Sequence, residues 1–122
     1  MILVEAHLAC GDVASAHEVL DAAFAFVAQT GERLLEHELR RLRGECLLAD
    51  GTLRDGAQRA TEQFERAVAL AAGSGALLFE LRAATSLLRL GAEPARARVS
   101  GLLERFDAAN ECTDTRRARA LL

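Results

Sequence analysis

The sequence has very few of the residues that interrupt helices or build sheets. Its 122 residues include one proline and neither tryptophan nor tyrosine. β-Branched residues are scarce, whereas alanine, leucine, arginine and glutamate, which are strong helix formers, are abundant. This composition predicts an all-α fold.

Cysteine is too sparse for a disulfide framework, and apolar runs are too short for a membrane span. Cys10, Cys46 and Cys112 are odd in number and far apart, and no CxxC pair occurs, which favours reduced thiols in the cytoplasm. Glu5 and Asp12 interrupt the N-terminal apolar stretch, which argues against a signal peptide. No run reaches the roughly 18 apolar residues of a membrane helix. We expect a cytoplasmic protein with no membrane contact.

Acidic residues slightly outnumber basic ones, so the chain has no general attraction to nucleic acid. The net charge is −3 at pH 7, and neither DNA nor an anionic bilayer attracts such a chain without a localised basic surface. Two short arginine clusters lie among acids or on helical faces and are interpreted as solvated helix surface. They are Arg40, Arg41 and Arg43, and Arg116, Arg117 and Arg119.

Glycines divide the chain at regular intervals. Gly11, Gly51 and Gly91 are spaced by 40 residues, and Gly31, Gly73 and Gly75 lie between them. Because glycine just after a helix adopts the left-handed conformation that closes the last turn, these series predict repeated helix-turn-helix units. A fixed period of this size is typical of a stacked helical array.

The segments between the glycines have the apolar spacing of helices. Helices are predicted over 2–10, 13–29, 34–49, 57–72, 77–90 and 95–106, with a closing helix capped by Thr113 or Asp114. The predicted buried stripes are Ala16, Leu20, Ala23 and Val27; Leu35, Leu39, Leu42 and Cys46; Ala57, Ala60, Phe64, Ala67 and Ala71; Leu77, Leu81, Ala84 and Leu88; and Ala95, Val99, Leu102 and Phe106.

Small residues surround a large one at the centre of these stripes. Ala60, Phe64 and Ala67 form such a set, and Ala16, Leu20 and Ala23 repeat it. Small residues let two helix backbones approach, and the large side chain fills the space against the paired helix.

This pattern resembles the tetratricopeptide repeat. The first helix of that repeat has a small residue seven positions before a turn glycine, matched here by Gly44 and Gly51. Its second helix has the alanine-aromatic-alanine set, matched by Ala60, Phe64 and Ala67. Val4 with Gly11, and Ala84 with Gly91, keep the spacing in the first and third repeats. The resemblance implies an α-α superhelix of about three repeats plus a closing helix, forming a single domain over residues 1–122.

Longer stretches resemble the repeat region of large bacterial regulators. "GERLLEHELRRLRGECLL", "LFELRAATSLLRLG" and "TDTRRARALL" are similar to the C-terminal region of proteins that combine a nucleotide cyclase or LuxR-type domain with a signal-transduction ATPase. The phosphate-binding GxxxxGK[ST] motif is absent from this sequence. The chain is thus expected to be related to the repeat part of such a regulator.

No residue pattern predicts catalysis, a cofactor or a metal. His7 and Cys10 share a helical spacing, but further ligands are missing nearby. "EHELRR" around His37 begins like a zinc-protease motif, yet Arg41 stands where the second histidine belongs, so His37 is interpreted as a helix surface residue. We expect no enzymatic activity.

The predicted function is a protein-protein interaction module. In the arrangement that the resemblance implies, the first helices of the repeats line a concave face that binds a peptide or a neighbouring domain. The residues expected there are Glu5, Glu38, Arg41, Glu45, Arg82, Thr85 and Arg89, and Arg41→Ala is expected to leave stability nearly unchanged. The alternatives are an inert regulatory tail of a cyclase-ATPase polypeptide and a scaffold that forms a homodimer through an exposed N-terminal helix.

Overall fold

The protein is all-α, as the composition predicts. The computed structural model describes residues 2–106 and 111–122, and seven helices and no strands lie in these ranges. They are α1 (Ile2–Ala9), α2 (Val13–Thr30), α3 (Glu36–Ala49), α4 (Gly56–Gly73), α5 (Leu77–Arg89), α6 (Glu93–Leu103) and α7 (Thr113–Ala120).

Local signals explain where several of these helices begin and end. The Asp12 side chain accepts a hydrogen bond from the Ser15 amide and caps the start of α2. Gly31 closes the same helix with a φ of 72°, a left-handed conformation that glycine adopts without steric cost. The other glycines with positive φ are Gly11, Gly75 and Gly91.

Two of the predicted glycine turns take a different form. Gly51 does not have a positive φ, because the Asp50 side chain makes this turn by accepting bonds from the amide and hydroxyl of Thr52. Gly73 remains inside α4, and Gly75 takes the left-handed conformation instead. The prediction for Gly51 and Gly73 is therefore wrong.

The helices form two layers. Each helix contacts the next along the chain, and the odd-numbered helices also contact one another: α1 with α3, α3 with α5, and α5 with α7. Within the described ranges, the even-numbered helices α2, α4 and α6 make no such contacts among themselves. Because contacting helices with short connections run antiparallel, α1 to α6 form three consecutive hairpins.

The core lies between these layers and consists of two clusters. Ala16, Leu20, Leu39, Leu42 and Cys46 join Val4 in a cluster of α1, α2 and α3. A larger cluster includes Phe64, Leu81 and Val99 and extends from α3 to α7. The predicted stripes supply most of both clusters.

Two predicted stripe residues are exposed. Leu35 precedes α3 as its N-cap and is 48% exposed, because the helix begins at Glu36, two residues later than predicted. Ala57 lies on the outer side of α4. Gly56 takes the buried position one turn before Ala60, where a Cβ atom would lie 2.9 Å from the Leu47 carbonyl oxygen.

Among the described residues, no helix is both long and apolar enough to span a bilayer.

Candidate functional site

The odd-numbered helices line a polar groove of about 320 Å³, which we call the arginine groove. α1, α3, α5 and α7 all contribute to it, so the groove runs along one layer of the molecule. Its lining residues are Glu5, Leu8, Arg41, Leu42, Glu45, Arg82, Thr85, Ser86, Arg89, Asp114 and Arg117.

The residues predicted for the concave face come together here. All of them except Glu38 line the arginine groove. Glu38 is 4% exposed and lies behind the groove surface, where it binds the arginines. A common face of α1, α3 and α5 is what the resemblance to the tetratricopeptide repeat implies, and the contacts of α3 with α1 and with α5 bring these residues together.

Glu38 is the central acceptor of an ion-pair network. Arg41 donates to it twice, from Nε at 3.0 Å and from a terminal nitrogen at 2.7 Å. Arg82 lies 3.8 Å from the same carboxylate. The carboxylates of Glu5 and Glu45 each lie 3.8 Å from the Arg41 guanidinium. The two-point contact fixes the Arg41 guanidinium in one orientation. α1, α3 and α5 are thus linked electrostatically across the groove.

The pKa of Arg41 reflects this environment. Burial disfavours its charge, but the hydrogen bonds to Glu38 and the charges of Glu38, Glu45 and Glu5 outweigh burial, and the pKa of Arg41 rises above its ordinary value. Arg41 therefore carries a permanent positive charge that is largely neutralised within the protein.

Helix α7 closes one end of the groove and supplies residues that the sequence did not indicate. Asp114 on α7 accepts a hydrogen bond of 2.9 Å from Arg82 Nε. A further groove residue that was not predicted is Ser86 on α5, whose hydroxyl donates to Glu45 on α3. The predicted caps, Thr113 and Asp114, both lie inside α7, whose N-cap is Cys112. The Thr115 hydroxyl accepts a bond from the Cys112 amide and closes a capping box. Asp114 is therefore free to bind Arg82.

Two groove arginines differ from Arg41 and Arg82 in their ion pairing. Among the described residues, neither Arg89 nor Arg117 has a carboxylate within 4.0 Å, although both line the groove. Both are exposed. Within residues 2–106 and 111–122, the groove thus presents two arginines without an ion-pair partner beside an internally paired network.

The arginines of α3 are not the solvated surface that the sequence suggested. Arg40, Arg41 and Arg43 have side chains that are 26%, 15% and 18% exposed. Arg40 and Arg43 lie over the Phe24 ring, at 4.9 and 5.4 Å from its centroid, and Arg43 also binds Asp21 and His17. Cation-π contacts and ion pairs thus hold Arg40 and Arg43 against α2, whereas Arg41 lies in the arginine groove. The second cluster, on α7, is exposed as predicted.

The burial of one histidine, His37, differs from the prediction. His37 is buried, at 6% exposure, and not a surface residue, because its ring packs 4.7 Å from the Phe79 ring. His7 lies 3.7 Å from Asp12. No group of three or more histidine, cysteine, aspartate or glutamate side chains that could hold a metal is found within residues 2–106 and 111–122.

No protein-family model matches this chain, and neither does any curated protein or any solved structure.

Proposed function

We propose that the chain is a non-catalytic protein-binding module of the tetratricopeptide type, in which the arginine groove holds an extended segment of a partner. The observation that carries the proposal is the groove itself, because its lining comes from four helices of one layer. A surface shared by several stacked hairpins suits an elongated ligand better than a compact one.

The repeat assignment is supported by the helix contacts and by one packing detail. Odd-numbered helices contact each other while even-numbered helices contact only their chain neighbours, which is how stacked hairpins bury a continuous core. Gly44 faces the ring of Phe64 so closely that an added Cβ atom would lie 2.5 Å from it. A small residue opposite a large one is the pairing that the repeat requires.

The charges of the groove indicate the chemistry of the partner. Arg89 and Arg117, which have no ion-pair partner in the part of the chain that the structure describes, offer positive charge, whereas Glu5, which is 57% exposed, offers negative charge near α1. A mixed-charge peptide with acidic side chains toward α5 and α7 and a basic side chain toward α1 is complementary to this distribution. The partner is either a separate protein or an adjacent domain of a cytoplasmic bacterial regulator, of which this chain is then the repeat region.

Binding of designed peptides tests the proposal. Short synthetic peptides with an acidic end, leucines and a basic end are titrated against the protein, and their scrambled-charge versions serve as ligand controls. We expect chemical-shift changes at Glu5, Arg41, Arg82 and Arg89. The double substitution Arg89→Glu with Arg117→Glu should weaken the acidic-end peptides by about tenfold or more.

A charge-matched variant separates groove binding from a general charge effect. Arg54→Glu with Arg66→Glu changes the net charge by the same amount at exposed positions that do not line the groove. This variant should bind the peptides like the wild type. Equal weakening in both variants, or shift changes confined to other surfaces, would contradict the proposal.

A further inference from the structure

Helix α7 places a carboxylate of the protein itself inside the arginine groove. Asp114 lines the groove together with Arg82, and its Oδ2 atom accepts a hydrogen bond of 2.9 Å from Arg82 Nε. The side chains of Asp114 and Arg82 are 20% and 32% exposed, so a ligand in the groove can reach both. An acidic side chain of a ligand therefore meets Arg82 already bound to an internal acid.

The contacts of Arg82 leave its guanidinium without a free two-point face. A guanidinium binds a carboxylate at two points through neighbouring nitrogens, either Nε with Nη2 or Nη1 with Nη2. In Arg82, Nε donates to Asp114, and Nη1 lies 3.8 Å from a Glu38 oxygen. The guanidinium also lies over the Phe79 ring, 5.2 Å from its centroid. A two-point contact with a ligand thus requires one of the two internal carboxylates to move away.

Of these two carboxylates, Asp114 is the one that a ligand can displace. Glu38 is 4% exposed and accepts two further hydrogen bonds from its own helix, which hold it in place. α7 buries only Thr115 and Ala118 among its eight residues, whereas α5 buries eight of thirteen. Because little apolar surface fixes α7, its contacts open more easily than those of α3. Exchange of partners at Arg82 therefore takes place on the Asp114 side.

We propose that Asp114 is an autoinhibitory group of the arginine groove, and that an acidic side chain of the partner displaces it from Arg82. Because the groove is itself proposed to bind a peptide, this role of Asp114 rests on that function and adds its regulation. The ligand carboxylate takes over Nε and Nη2 of Arg82. One charged hydrogen bond replaces another, so the net gain at Arg82 is small, and a neutral side chain gains nothing there.

Asp114→Asn tests the competition. Asparagine has nearly the size of aspartate and keeps a carbonyl oxygen that can face Arg82, but it has no charge. The acidic-end peptide, and a version with glutamines in place of its acids, are titrated by calorimetry against this variant and against the wild type. The variant should bind the acidic-end peptide about fivefold more tightly than the wild type does. Its affinity for the glutamine version should be unchanged.

Two further variants separate this competition from a general charge effect. Glu104→Gln changes the net charge by the same amount at an exposed position that does not line the groove, and it should bind like the wild type. Arg82→Gln removes the contested group. When it is combined with Asp114→Asn, the tighter binding should disappear, because the coupling passes through Arg82. A gain of equal size with and without Arg82 would contradict the proposed role of Asp114.

Side-chain NMR of the unmodified protein decides the matter even if a variant fails to fold. The acidic-end peptide should shift the Nε–H signal of Arg82 and the carboxyl signal of Asp114, since both groups change partners. The glutamine version should shift neither signal. A shift at Arg82 without any change at Asp114 would show that the peptide binds without displacing the internal carboxylate, and would overturn autoinhibition.

Failure of autoinhibition and failure of peptide binding give different results. If no peptide binds either the wild type or Asp114→Asn, the proposed function is wrong, and the role of Asp114 is wrong with it. If the acidic-end peptide binds the wild type through Arg89 and Arg117 but Asp114→Asn leaves its affinity unchanged, the groove is a binding surface and only the role of Asp114 is wrong.

Discussion

Arg41 and Glu38 are the residues whose environments differ most from the surface expected for charged helix positions. Glu38 is 4% exposed and Arg41 donates to it twice. All 15 basic residues of the chain are arginine, and only arginine has the planar fork that contacts a carboxylate at two points. The pair is therefore a structural contact as well as part of a binding surface.

Arg41→Ala should consequently destabilise the protein, contrary to the expectation from the sequence. It leaves a buried carboxylate with only the more distant Arg82, and breaking a buried ion pair costs about 3–5 kcal/mol. We expect about 3 kcal/mol, the lower end of that range, because Arg82 remains. Urea denaturation measures this loss.

Arg116→Ala is the matched control, because Arg116 is an exposed arginine on α7. Its midpoint should stay close to that of the wild type. If Arg41→Ala and Arg116→Ala had the same midpoint, the buried network would contribute nothing to stability.

The sequence predicts on which side of a helix a residue lies, but not how deeply the residue is buried. Helical spacing places Arg41, Glu45, Arg82 and Arg89 on one side of their helices, and the structure brings them into one groove. Spacing within a helix does not give the depth of a position, however. His37 is buried because Phe79 of another helix packs on it, and no local pattern predicts that contact.

At the scale of elements, the pairing of α3 with α4 depends on a glycine inside a helix. Gly44 is buried in the middle of α3 and faces Phe64 on α4. Glycine lowers helix stability by about 1 kcal/mol relative to alanine. Its use here is explained by the distance of 2.5 Å between a built Cβ atom and the Phe64 ring.

Gly44→Ala should destabilise the protein although alanine is the better helix former. Overpacking a core costs about 1–3 kcal/mol, and the ring of Phe64 is fully buried, so it cannot turn into solvent to make room for the methyl group. Because the built Cβ atom lies only 2.5 Å from the ring, we take the upper end of this cost, about 3 kcal/mol, and subtract the gain in helix propensity of about 1 kcal/mol. Urea denaturation should therefore show a net loss of about 2 kcal/mol.

Gly101→Ala should change the free energy of unfolding in the opposite direction. Gly101 is exposed in α6, and an added Cβ atom would meet nothing within 4 Å, so the substitution should stabilise by about 0.5–1 kcal/mol. Stabilisation by both substitutions would mean that α3 and α4 are not packed as closely as described.

Helices were predictable from the sequence to within a few residues, whereas the segments between them were less so. Alanine and leucine at helical spacing determine α2, α4 and α5, and glycine determines several of their ends. The start of α3 was placed two residues too early because Leu35 continues the apolar pattern although it lies outside the helix. Asx turns and the Cys112 cap depend on side-chain geometry that apolar spacing does not encode.

At the scale of the molecule, the terminal hairpin differs from the interior ones. α3 and α5 each contact helices on both sides, whereas α1 contacts only α2 and α3 among the described helices. The core cluster of α1, α2 and α3 is the smaller of the two. Leu3 on α1 and Phe26 on α2 are 55% and 57% exposed, so this hairpin has apolar surface available for another contact.

That exposed surface predicts concentration-dependent self-association. Leu3 and Phe26 can be covered by the same hairpin of a second copy, because a two-fold contact uses the same patch twice. Sedimentation velocity should show a mass that rises with concentration, and Leu3→Glu with Phe26→Glu should restore a monomer, since a buried unpaired charge opposes the contact. Leu34→Glu, at a leucine that is 75% exposed outside this hairpin, should associate like the wild type. A wild-type protein that stays monomeric across the whole range would show that the terminal hairpin does not mediate dimerisation.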